Sequence, residues 1–131
     1  MARKKSPTLT DLETDIMNIV WQQGKVTVRD VYETLREIRP LAYTTVLTVL
    51  GTLTEKGIVQ REMKDRTYVY RPRVSHKEAV NRSVQYLADK FFEGSARSLA
   101  AHMIESEELS PQELEELHRV IEDKLKEGDE T

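Results

Sequence analysis

The stretch Ala42-Tyr43-Thr44-Thr45-Val46-Leu47-Thr48-Val49-Leu50-Gly51-Thr52-Leu53 decides how this 131-residue chain folds. Val46, Val49, Leu50 and Leu53 recur at i, i+3, i+4 and i+7, so the segment reads as a short amphipathic helix with one apolar stripe. Its other side carries threonines and one tyrosine where an ordinary solvated face would carry Glu, Lys, Gln and Arg. Threonine is a poor helix former, which calls for another reason. Small hydroxyls let a second surface approach closely, and hydroxyls with thymine-contacting methyls suit the major groove of DNA. A merely solvated threonine face is the competing reading.

Two helices are signalled upstream. In Thr10-Asp11-Leu12-Glu13 the threonine can cap the third backbone N–H while Glu13 reaches back, and Leu12, Ile16, Ile19 and Val20 then share one face that Trp21 extends. Gly24 reads as a left-handed stop and Lys25-Val26 as a very short extended piece. Thr27-Val28-Arg29-Asp30 opens a second helix through about Arg36, with Val28, Val31 and Leu35 inward; Pro40 blocks its continuation. Downstream, Gly57 closes the threonine helix and the period changes. Ile58 to Met63 and Thr67 to Pro72 are β-rich runs around the polar break Lys64-Asp65-Arg66, which reads as a hairpin.

Three helices followed by a hairpin is the order of a winged helix-turn-helix, in which the third helix enters the major groove and the hairpin leans on the backbone or a minor groove. Tyr43, Thr44, Thr45 and Thr48 are then the candidate base-reading residues, with Thr52 weaker, and Arg61, Lys64, Arg66 and Arg71 the candidate backbone contacts of the wing. Tyr43 could instead pack on the second helix, and one of Tyr68 and Tyr70 is expected to pack.

Charge divides the chain. Residues 1–75 hold 13 Lys+Arg against 9 Asp+Glu, net +4, whereas residues 76–131 hold 7 against 14, net −7. A polyanion-binding N-terminal half joined to an acidic half with another task follows. No run of about 20 apolar residues offers a membrane span, and Met1 to Lys5 leads into Ser6-Pro7 rather than an apolar stretch, so no signal peptide, no direct membrane binding and a cytoplasmic protein are expected. The chain has no cysteine, which removes disulfides and thiolate metal sites. His118 with Glu115 and Glu122 could sketch a weak metal site, but such groups are more often a solvated ion pair; no metal, cofactor or catalytic residue is expected.

The acidic half is helical by its caps. Ser75 to Glu78 starts a helix with Val80, Val84, Leu87 and Phe91 on one face, ended by Gly94; Ser95 caps a shorter one with Leu99, Met103 and Ile104. Ser110-Pro111-Gln112-Glu113 is the strongest cap in the chain, and Leu114, Leu117, Ile121 and Leu125 form the stripe behind it. The expected fold is mainly α with a small β-hairpin. It comprises a flexible basic N-terminus (1–8), a winged helix-turn-helix (9–74), a C-terminal helical dimerisation domain of three helices (75–127) and a frayed tail (128–131). Apolar positions on two sides of one helix favour pairing with a second chain over docking back on the first, which makes Val84, Leu87, Phe91, Phe92, Leu99, Met103, Leu114, Leu117 and Ile121 the candidate dimerisation residues.

The segments Ala42 to Thr48, Glu55-Lys56-Gly57, Tyr68-Val69-Tyr70-Arg71-Pro72 and Phe92-Glu93-Gly94-Ser95, occurring together and in order, resemble the BlaI/MecI/CopY family of penicillinase-type repressors from about Leu9 to Leu125. The resemblance implies a homodimeric transcriptional repressor whose interlocked C-terminal helices place two winged helices on a palindromic operator, with TACA/TGTA-like half-sites in double-stranded DNA. It also implies release through a membrane metalloprotease-type sensor and cleavage in the C-terminal domain, here around Ala101, His102 and Met103. Staphylococcal members have an asparagine-phenylalanine bond where His102-Met103 stands, a departure that bears on the cleavage site. The cysteine cluster of copper-responsive members is missing. No nucleophile-base-orienter set or phosphate loop points to an enzyme; the alternative is a winged-helix adaptor that binds a protein instead of DNA.

Overall fold

The computed structural model describes residues 8–129. Its elements run α1 (Asp11–Gln23), α2 (Val28–Leu35), α3 (Tyr43–Glu55), β1 (Val59–Lys64), β2 (Thr67–Pro72), α4 (His76–Phe91), α5 (Ala96–Glu105) and α6 (Pro111–Asp129). The fold is mainly helical with a two-stranded antiparallel hairpin, arranged as a winged helix-turn-helix followed by helices. The expectation of a flexible basic terminus falls on residues that, Thr8 apart, lie outside the described ones.

Local chemistry accounts for the helix boundaries. Thr10 and Glu13 close a capping box at α1, Thr27 and Asp30 another at α2, and Ser95 accepts the Ser98 N–H at α5. Gly24 and Gly57 follow α1 and α3 with φ of 86° and 77°, the left-handed region that glycine enters without a Cβ penalty. The core gathers Ile16, Met17, Ile19 and Val20 from α1, Val28, Val31 and Leu35 from α2, and Val46, Leu50 and Leu53 from α3, with Val59 and Tyr70 from the hairpin. Two stripe positions differ from the sequence reading. Leu12 and Val49 are half-buried at the core's margin, while Met17 is fully buried, its flexible thioether chain filling a gap that a strict stripe does not mark.

The extended piece at Val26 closes the hairpin onto the helices, since Val26 N–H donates to Tyr70 O at 2.9 Å and Tyr70 N–H returns to Val26 O at 2.7 Å. Register pairs Val59 with Pro72, Arg61 with Tyr70, Met63 with Tyr68 and Lys64 with Thr67. The break is therefore two residues, not three. Lys64 ends β1, and Asp65 and Arg66 alone make the turn with φ of 50° and 67°, the positive values that a type I′ hairpin requires at both central positions.

The chain divides into two compact units, one ending at Tyr86 and one starting at Leu87. The division falls inside α4 rather than ahead of it, because the helix's first turns stay with the N-terminal core: Ala79 packs on that core and His76 meets the Trp21 ring edge-on at 5.1 Å. In the second unit Ala88 and Leu99 are buried. Ser110 and Glu113 cap α6 reciprocally, at 3.0 and 3.1 Å, yet none of its residues is buried. The helix also takes in Gly128 and Asp129, which the sequence reading placed in a frayed tail. No helix among the described residues is long and apolar enough to cross a membrane.

Candidate nucleic-acid interface

Val46, Leu50 and Leu53 face the core with no exposed surface and fix the roll of α3. At about 100° per residue, the line opposite them runs through Thr44, Thr48, Gly51 and Glu55. Thr44 and Thr48 are exposed; Thr45 and Thr52 are half-buried on the flank. The Thr48 hydroxyl donates to Thr44 O at 2.9 Å and the Thr52 hydroxyl to Thr48 O at 3.2 Å. Their protons are thus spent on the helix, which leaves each hydroxyl oxygen able to act as an acceptor.

Tyr43 packs on the second helix, as one of the two sequence readings has it, and stays accessible as well. Its ring meets Tyr32 of α2 edge-on at 5.7 Å and is still 43% exposed at the first turn of α3. That turn is also electrostatically distinct. Ala42 supplies no side-chain cap, so backbone N–H groups at the start of α3 are left for an outside acceptor such as a phosphate.

The four basic wing residues are not equivalent. Arg61 shares a face with Met63, Tyr68 and Tyr70, and its guanidinium lies 4.2 Å over the Tyr68 ring. Arg71 is on the opposite face, tied to Glu62 at 2.8 Å, which neutralises part of its pull on a phosphate. Lys64 and Arg66 sit at the tip, exposed and without an ion pair among the described residues. Tyr70 is the packing tyrosine, fully buried, and Tyr68 remains 38% exposed.

Sequence reasoning missed Leu47. It is 44% exposed beside Thr44 and Thr48, a large apolar side chain on the outward flank of a helix that otherwise buries its leucines. Its offset from the Val46-Leu50-Leu53 stripe was the available signal. Lys56 is missing from this face for a physical reason, since its ammonium is drawn inward to Glu13 at 2.8 Å. Burial pushes the Glu13 carboxyl up, but hydrogen bonds from Lys56 and Thr10 outweigh it and hold the group below the usual value.

Of the C-terminal positions, Leu87, Phe91, Met103, Leu114, Leu117 and Ile121 are exposed, as is Val84 in the first unit. Leu99 departs from the expected set: it is only 8% exposed and belongs to the unit's own interior. Phe92 is half-buried with its ring 5.6 Å from His102. Ala101, His102 and Met103 all lie within α5. His118 Nε2 stands 3.5 Å from Glu122 Oε1, an exposed pair one turn apart, and no group of three metal ligands converges among the described residues.

Comparison with known proteins places these features in a family. The penicillinase repressor family model matches residues 9–123. The transcriptional regulator BlaI of Mycobacterium tuberculosis is 38% identical over 103 residues, 77% of this chain and 75% of that one. The penicillinase repressor of Bacillus licheniformis is 24% identical over 120 residues, 92% and 94% of the two chains. A solution structure of the DNA binding domain of the repressor BlaI superposes with a TM-score of 0.51 at 25% identity, covering 58% of this chain and 93% of that domain. The chain belongs to the penicillinase repressor family.

Proposed function

We propose that the protein is a DNA-binding transcriptional repressor that places α3 in the major groove and its wing tip on the backbone. The observation that carries this is the outward line of α3, small and uncharged at Thr44, Thr48 and Gly51, beside a wing tip whose Lys64 and Arg66 have no ion pair among the described residues. Acceptor oxygens and methyls at Thr48 and Thr52 match the amino groups and thymine methyls of base edges. Phosphate contacts supply affinity and its salt dependence.

The operator is a palindrome with TACA/TGTA-like half-sites, read by a homodimer joined through its C-terminal helices. Support for pairing comes from α6, whose Leu114, Leu117, Ile121 and Leu125 are all exposed in the single chain. Release follows inactivation by a metalloprotease-type sensor. A cut at His102–Met103 requires α5 to open first, because a protease binds its substrate extended and this bond is helical. A winged-helix adaptor is the lesser reading, since a cationic wing has no evident purpose on it.

A salt-titrated mobility shift on the DNA upstream of the protein's own gene, with a scrambled duplex beside it, tests the assignment. Thr45→Ala is expected to relax sequence preference, whereas Arg66→Ala weakens all duplexes alike and lowers the salt slope by about one. Equal binding of both duplexes by the parent protein rejects the repressor reading in favour of the adaptor.

A further inference from the structure

One residue of α3 has no explanation inside the protein. Gly51 lies in the helix interior, where glycine is less stable than alanine because it surrenders more backbone freedom. It is not among the glycines with positive φ, which are Gly24, Gly57 and Gly94. A methyl group built on it meets no heavy atom within 4 Å. Neither backbone conformation nor packing excludes a side chain there. On the helix surface Gly51 continues the line of Thr44 and Thr48, and one turn before it stands Leu47, 44% exposed. An apolar ridge and a notch therefore adjoin on the outward face.

Resting on the DNA-binding reading above, we infer that Gly51 is the point of closest approach between α3 and the DNA. The missing side chain lets the helix backbone settle against the groove as far as its third turn, and Leu47 beside it covers a thymine C5-methyl, the apolar group that the major groove offers. The pair selects by shape. Carrying no charge, it contributes to sequence preference and not to salt dependence.

Full-length Gly51→Ala, Gly51→Gln and Leu47→Ala, each compared with the parent protein, test this. Binding is measured by fluorescence anisotropy over a salt series on the upstream duplex, with each half-site thymine replaced in turn by deoxyuridine, and folding by thermal melts. Both Gly51 variants are expected to melt above the parent while binding about tenfold or more weakly, Gln more so than Ala, with unchanged salt slope. Leu47→Ala is expected to lose the preference for thymine over deoxyuridine at one position. A Gly51→Gln protein that binds as the parent does, or that melts below it, overturns the inference while leaving the repressor assignment in place. If the parent shows no sequence-dependent binding, the assignment itself falls and takes this inference with it.

Discussion

Glu13 is the one charged residue buried among those described, at 4% exposure, and its position links the two ends of the DNA-binding unit. Its carboxylate accepts the Thr10 N–H at the start of α1 and the Lys56 ammonium at the end of α3, both at 2.8 Å. The first contact is legible in the sequence, because a capping box is a local pattern of four residues. The second is not, since nothing in a periodicity joins positions 43 residues apart. The same limit hid the Arg71–Glu62 pair, which strand pairing sets, whereas Leu47's exposure could have been read from its offset from the buried stripe. Because the folded protein holds Glu13 below its ordinary value of 4.5, the unfolded chain takes up the proton first as pH falls. The stabilisation is complete above about pH 4.5 and fades as the folded carboxyl titrates below it. Glu13→Gln is expected to cost about 3 kcal/mol at pH 7 by leaving the largely covered Lys56 ammonium without its partner. Urea unfolding across pH should show the gap narrowing only in the acid range; a gap that stays constant down to pH 3 would contradict the coupling.

The wing was legible as a hairpin from its alternating β-rich runs, but its turn was not. Asp65 suits the first central position of such a turn, but Arg66 occupies the second, where glycine is ordinarily found, and a residue of its kind in the left-handed region costs about 1–2 kcal/mol. Composition alone made Lys64-Asp65-Arg66 look like a looser connection. The strain puts a cation at the extreme tip of the hairpin, where it reaches furthest from the body. Arg66→Gly separates the two roles. It is expected to stabilise the fold by up to about 1 kcal/mol in thermal or denaturant unfolding, offset in part by the freedom glycine adds to the unfolded chain. At the same time it should weaken binding to every duplex and reduce the salt slope by about one. Unchanged DNA affinity in a more stable variant would remove Arg66 from the interface and leave Lys64 as the tip contact.

Across the whole molecule, the N-terminal 75 residues carry net +4 and the remainder −7, so the segment proposed to meet DNA is separated from one that DNA would repel. That division was legible from charge alone, whereas the compact units meet within α4, where the first turns pack on the N-terminal core through Ala79. The acidic unit buries Ala88 and Leu99 but leaves α6 without a buried residue. An amphipathic helix with its apolar side open is poorly stabilised alone, and the homodimer proposed above would have a second copy of the chain supply the cover. Pairing multiplies affinity without new contacts to DNA, by about 10²–10⁴, because binding at the second half-site becomes intramolecular. Leu117→Lys combined with Ile121→Lys is therefore expected to turn a dimer into a monomer in sedimentation equilibrium and to lower affinity for a two-half-site duplex at least 100-fold. Affinity for a single half-site should stay the same or rise slightly, because the substitutions add positive charge far along the chain from α3 and the wing. If the doubly substituted protein sediments as a dimer, α6 is not the element that joins the copies. If it sediments as a monomer yet binds the two-half-site duplex as tightly as the parent, dimerisation contributes nothing to operator recognition.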